Sequence, residues 1–281
     1  MSYLSSPSWA GLADIVSESL SDSARFAETY HTDRIHAEKA IRTFTGLKDF
    51  AALGSKAARQ NIVDYYIRLM ESYDRDKLDG LLNGAGDFRE INQNEAEIIF
   101  ELLLANFSFE EILRTYREYS NNISVMEEPF LRYTALELQR RTGFLKRYEK
   151  KREQLNFVCI LLYAVSYGQS CIESLQYMDI NEIGILNNDY IYIIWKGLKI
   201  RLKFLCFENP GTIVNIQKKT TQRSALNYDM QNPIVVTSKN NSNRISAAGY
   251  EVTPGDGDFY YNERIFNLHV VSLEDLAEKY Q

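Results

Sequence analysis

The sequence predicts an α+β protein in two parts. Residues 1–155 form an all-helical module, and residues 156–281 form an α/β module with a mostly antiparallel sheet. Three observations carry this. Apolar residues recur at helical spacing from about residue 10 to residue 165. After Gly168 the pattern changes, and β-branched and aromatic residues crowd together. Two tight-turn signals, Asn187-Asn188-Asp189 and Lys196-Gly197, then fall only a few residues apart.

Taken in order, ARQNIVDYYIRLMESY places Ile62, Tyr66, Leu69 and Tyr73 on one helical stripe. A break follows at Gly84-Ala85-Gly86. In INQNEAEIIFELLLANF, Ile98, Leu102 and Ala105 stand at i, i+4 and i+7, with Ile91 two turns earlier. Ser108 with Glu111 has capping-box spacing. A second break falls at Glu128-Pro129, and no internal repeat is present in this half. Residues 140–152 carry seven Lys and Arg, interspersed with Glu149 and followed by Glu153. This reads as a solvated helix face rather than a patch for RNA or lipid. The boundary between the two modules is expected near Gln154.

Beyond it, NEIGILN, YIYIIWK and LKIRLKFLC read as three consecutive strands, a β-meander. Tyr190, Tyr192 and Trp195 share a run with Ile191, Ile193 and Ile194, which reads as a strand buried on both sides rather than a base-stacking platform. PGTIVNIQKKTTQRS returns to a helical pattern, with Ile213 and Ile216 on one side. PIVVTS, NRISAAGYEV and DFYYNERIFNL resume strand character. Ser272, before Glu274-Asp275, reads as the N-cap of a last helix.

Composition excludes several classes. The chain is 45% hydrophobic and 25% charged with only five prolines, which excludes wholesale disorder. A net charge of −6 argues against a nucleic-acid partner. Cys159, Cys171 and Cys206 form no C-x-x-C pair and read as apolar thiols in a reducing compartment. No apolar leader follows the first Met, and FVCILLYAV (157–165) is far short of a bilayer span, so a cytoplasmic location is expected. His31 and His36 are five apart and His269 stands alone, so no metal site is predicted. Glu110-Glu111 and Glu127-Glu128 are neighbours that point to different helix faces, not acid–base pairs. No Ser/His/Asp or Cys/His constellation is legible.

A set of motifs then recurs in a familiar order. Tyr167-Gly168 with Ile172-Glu173 ends a helix, Asp179 to Ile183 opens a strand, and Tyr190 to Leu202 forms an aromatic hairpin. Arg244-Ile245-Ser246, Pro254 and Arg264-Ile265-Phe266 follow, and SLEDL closes the series. Over roughly residues 160–281 this resembles the N-terminal domain of the type II/type IV secretion ATPases, in the branch of tight-adherence (Flp) pilus assembly and conjugation. The helical first half carries no motif of that family.

The resemblance implies a regulatory cap over the nucleotide of a C-terminal motor, with SLEDL as the linker into it. It assigns Arg264 and Arg244 to the nucleotide phosphates, because a guanidinium makes bidentate, permanently charged contacts with phosphate oxygens. The bland alternative for both is a surface salt bridge with Glu251, Asp256 or Glu263. Arg201 and Arg223 are weaker candidates. ATP and Mg belong to the full-length parent, and this chain is expected to hold no cofactor. It contains no G-x-x-x-x-G-K-[ST], since Gly46 is eight residues before Gly54-Ser55-Lys56, so it is not expected to hydrolyse ATP. The implied partners are the chain's own motor domain and components of a secretion or pilus machine at the inner membrane face. The isolated region is expected to be monomeric. The competing reading is a stand-alone adaptor: a helical interaction module fused to a sheet domain, with no nucleotide role.

Overall fold

A computed structural model describes residues 7–29, 31–72, 96–207, 210–222, 224–225, 227–239, 242–253, 255 and 258–266. The fold is α+β. Helices α1 (Pro7–Ser19), α2 (Ser23–Thr29), α3 (Arg34–Ala52) and α4 (Lys56–Ser72) come first. They are followed by α5 (Ala96–Asn106), α6 (Phe109–Tyr116), α7 (Glu128–Thr142) and α8 (Lys151–Ser166). Ile62, Tyr66 and Leu69 are buried on α4 as their spacing predicts. Tyr73, Ile91 and Gly84-Ala85-Gly86 lie outside the described residues.

α5 departs from the predicted stripe. Every residue from Ala96 to Leu103 is buried, Glu97 and Glu101 included, while Ala105 is exposed. A helix this apolar on all sides is enclosed rather than laid on a surface. The capping box before α6 is complete: the Ser108 hydroxyl accepts from the Glu111 N–H, and the Glu111 carboxylate accepts from the Ser108 N–H. The break at Glu128-Pro129 starts α7, where proline in the first turn has no donor to lose. Gly143 ends that helix in the left-handed region, at φ +65°. The basic stretch makes solvent-facing ion pairs, Arg140 and Arg141 with Glu137, and Arg147 with Glu153.

The sheet is built from β1 (Val125–Met126), β2 (Glu182–Leu186), β3 (Tyr190–Trp195), β4 (Leu198–Leu202), β5 (Ile234–Ser238), β6 (Arg244–Ala248) and β7 (Tyr260–Arg264). Its order is β1-β4-β3-β2-β7-β6-β5, antiparallel throughout except for the β1–β4 pair. Lys196 and Gly197 both take positive φ, the requirement of the two-residue hairpin between β3 and β4. α9 (Pro210–Thr221) packs on β5 and β6, burying Ile213 and Ile216.

Two expectations change. The first half is not all-helical, because Val125 and Met126 pair in parallel with Arg201 and Leu202 and extend the sheet. Two residues are too few to show an alternation in sequence. β3 is not buried on both sides either: Ile191 and Ile193 face the core, while Tyr190 and Tyr192 are half-buried on the opposite face. Such one-sided burial is the usual state of an antiparallel sheet.

The boundary expected at residues 155/156 falls inside α8. α1 and α4 pack on that helix, and one continuous apolar core runs from Leu12 to Ile265. The Tyr66 hydroxyl also meets the Ser166 Oγ at 2.6 Å. Among the described residues, no helix is long and apolar enough to cross a membrane.

Candidate functional site

On the outer face of the sheet the register sets one row of side chains running Lys199, Ile194, Glu182, Arg264, Arg244 and Ser238. Arg264 ends β7 and Arg244 begins β6, and the two are direct cross-strand partners. Like charges placed directly opposite on neighbouring strands repel. The Arg264 guanidinium is 64% exposed and lies 3.9 Å from the Glu182 carboxylate, a loose contact. The other oxygen of Glu182, Oε1, accepts from Asn262 Nδ2 at 2.6 Å and from the Tyr192 hydroxyl at 3.2 Å. The Arg244 guanidinium sits 5.5 Å from the ring centre of Phe266. Beside Arg264 lies an open depression of about 480 Å³ with Asp179, Asn181, Glu182 and Phe266 on its walls. Two guanidiniums at the end of rigid strands form a place where an oxyanion would relieve their repulsion.

Beneath this face the strands are held by a buried polar network. Glu263, the residue before Arg264, points into the core and accepts from Lys239 Nζ with both oxygens, at 2.8 and 2.7 Å. It also accepts from Asn243 Nδ2 at 2.7 Å and from the Tyr261 hydroxyl at 2.8 Å. Burial first, then the Glu263 charge, push the Tyr261 hydroxyl well above its usual range and keep it a donor. Lys239 donates also to Gln176 Oε1 at 2.7 Å, and Gln176 Nε2 donates to Glu173 at 3.3 Å. Glu173 in turn pairs with Arg59 of α4 at 3.1 Å. The chain Arg59–Glu173–Gln176–Lys239–Glu263 thus links two opposite-charge pairs through the neutral Gln176 amide, from the helices to the strand that carries Arg264.

The structure brings Arg244 and Arg264 together and leaves Arg201 apart. Arg201 lies over the Tyr190 ring at 4.3 Å, on β4. Of the salt-bridge partners expected for the pair, Glu263 is turned inward to Lys239. Asp256 and the Glu251 side chain lie outside the described residues, as do Arg223, Pro254, His269, Ser272 and the SLEDL stretch. Sequence reading missed Lys239 altogether. Its one available signal was a lysine followed by the polar loop Asn240 to Asn243 between two apolar strands, which does not distinguish a buried residue from a solvated one.

No family model matches this chain, and no curated protein matches it. Among solved structures, part of it is similar to the VirB11 ATPase of the Brucella suis type IV secretion system, a structure determined in complex with sulphate. The two share 13% identity over 36% of this chain and 30% of that one, with a TM-score of 0.31. At that score the likeness carries no argument about activity. Fold and site define an α+β protein whose sheet presents an exposed arginine pair at its strand ends.

Proposed function

We propose that this chain is the regulatory and docking region of a hexameric secretion or pilus-assembly ATPase, with Arg264 and Arg244 reaching the nucleotide phosphates of the motor. The reading rests first on the motif series over roughly residues 160–281. The single structural observation that supports it is the direct cross-strand pairing of Arg244 with Arg264 on an exposed face. A pair of opposed guanidiniums is unfavourable alone and favourable around a phosphate group. ATP and Mg are assigned to the motor. This chain contributes two cations and no phosphate-binding loop, which fits a phosphate contact but not a nucleotide site of its own. The machine places the chain at the cytoplasmic membrane face as a peripheral component.

The test is ATP turnover in the protein joined to its motor domain. Arg264→Ala should lower turnover by about 10-fold to 100-fold, the range of a coupling residue, with the fold of this region unchanged. Unaltered turnover rejects the role of Arg264. A reading frame that continues into a phosphate-binding loop supports the proposal, and one that stops at Gln281 favours the stand-alone adaptor. The adaptor reading has one observation of its own. Tyr119 and Tyr133 stack at 5.6 Å beside Leu136, and all three are exposed.

A further inference from the structure

The two edges of the sheet differ. β1 is two residues long, and so short an edge offers little to pair with. β5, at the other edge, runs five residues and pairs with β6 alone among the described strands. At its two ends the Lys239 N–H donates to the Asn243 carbonyl at 2.8 Å, and the Gly249 N–H donates to the Pro233 carbonyl at 3.1 Å. Hydrogen-bonded pairs alternate along an antiparallel ladder, so Pro233, Val235, Thr237 and Lys239 bond toward β6. The N–H and C=O groups of Ile234, Val236 and Ser238 therefore point off the sheet, with no backbone partner among the described residues.

Two common guards of an edge strand, a proline and an outward lysine, are both turned away from this one. Pro233 stands where the backbone bonds toward β6, so its missing N–H leaves the free edge untouched. Lys239, the charge that follows the strand directly, points inward to Glu263. No residue from Ile234 to Ser238 is charged, and Ile234 and Val236 are 58% and 68% exposed. Met230, on the approach to β5, is exposed as well. An uncharged apolar edge with free backbone groups is a template for another strand.

We propose that β5 pairs antiparallel with β5 of a second copy of this chain, about a twofold axis through Val236. A copy matches this edge at every position. In that register each outward N–H meets a carbonyl: Val236 pairs with Val236 of the second copy, and Ile234 pairs with its Ser238. The side chains agree. Valine meets valine at the axis, Ile234 lies beside the small Ser238, and Val235 stands opposite Thr237 on the inner face. Arg244 adjoins the Ser238 end of the strand, so its counterpart lies at the opposite end and no like charges meet. A five-residue strand pair covers less than the roughly 1,200 Å² of a standard interface, so the dimer is weak and depends on concentration. This departs from the monomer expected of the isolated region, and it is independent of any role for the arginine pair.

The experiment is sedimentation equilibrium of the full chain, and of Val236→Lys and Val236→Glu alone and mixed. The apparent mass of the unaltered chain should rise from 32.6 kDa toward twice that value between about 5 µM and about 500 µM, the range of a weak interface. Each variant alone sets two like charges opposite each other at the axis and should lose about tenfold or more in affinity. The equimolar mixture should regain the dimer, because opposite charges then meet there. Val236 is exposed, so neither substitution disturbs the core, and thermal melts establish that each variant is folded. If either is not, amide exchange in the unaltered chain decides: Ile234, Val236 and Ser238 should gain about tenfold protection at the higher concentration. A monomer at every concentration, a dimer that survives both substitutions, a mixture that stays monomeric, or unchanged protection of the three amides overturns the proposal.

Discussion

Lys239 places its ammonium 2.8 Å from one oxygen of Glu263 and 2.7 Å from the other, and neither side chain is exposed. The pair lies beneath Arg244 and Arg264: Lys239 just follows β5, and Glu263 immediately precedes Arg264. Asn243 ties in as well, giving one hydrogen bond to Glu263 and accepting another from the Phe266 N–H at 3.3 Å. The network therefore fixes the strand ends from which both arginines project.

Removing one partner of such a pair leaves the other charge buried without compensation. Lys239→Met should cost about 3–5 kcal/mol of stability, and Lys239→Met with Glu263→Leu should cost much less than the sum of the two single changes. Denaturant unfolding of the three variants measures both. A loss under about 1 kcal/mol for Lys239→Met would show that the pair is hydrated rather than buried.

Gly184 stands opposite Tyr192 across β2 and β3, and a Cβ there would lie 2.0 Å from the tyrosine Cζ. The ring covers the bare backbone of the glycine. Gly184→Ala should destabilise by about 1–3 kcal/mol, by displacing that ring. In a Tyr192→Ala background most of the penalty should vanish, and a double-mutant cycle reads the difference directly.

Glu101 gives stability a pH dependence of its own. Its folded value of about 7 lies above the usual 4.5, so the folded state holds the proton more tightly across that interval. The stability contribution is complete below about 4.5 and is lost as pH rises to about 7, amounting to about 3 kcal/mol. Glu101→Gln should therefore be nearly neutral in acid and stabilising at mildly alkaline pH, as read by guanidinium unfolding at both ends. Equal effects at the two ends would show that Glu101 does not titrate in this window.

Arg244 and Arg264 are a liability to the isolated chain. Arg264→Thr should leave stability unchanged or raise it by about 0.2–1 kcal/mol at low salt, with the gain shrinking as salt screens the repulsion. A drop in melting temperature on this substitution would show the arginine to be structural, held by Glu182.

A fragment starting at residue 156 should not fold by itself. The cut divides α8, removes β1 from the sheet, and strips Arg59 from the buried Glu173. Limited proteolysis of the whole chain should yield no long-lived fragment beginning there, and a stable one would show that the sheet half has a core of its own.

The elements legible in the sequence are those set by local periodicity. α4, the capping box at Ser108 and Glu111, the β2–β3–β4 meander and α9 all announce themselves through spacing or turn chemistry within a few residues. The positions of Arg244 and Arg264 were legible as motif residues, but their cross-strand pairing was not, because it depends on β6 and β7 being paired in one register. The network was illegible for the same reason. Arg59, Glu173 and Lys239 come from three separate segments of the chain, and nothing local marks them as partners.

Sequence alone determined that this is an α+β chain, helices first and an antiparallel meander after, because helical and strand periods are written into neighbouring residues. Only the tertiary structure decided that Val125 and Met126 join the sheet, and that α8 belongs to both halves. It also turned Glu263 inward to Lys239 while Arg264, one residue on, faces solvent. These outcomes depend on desolvation, on which charge can find a partner when water is excluded. That is settled by residues distant in the chain and meeting only when the core closes.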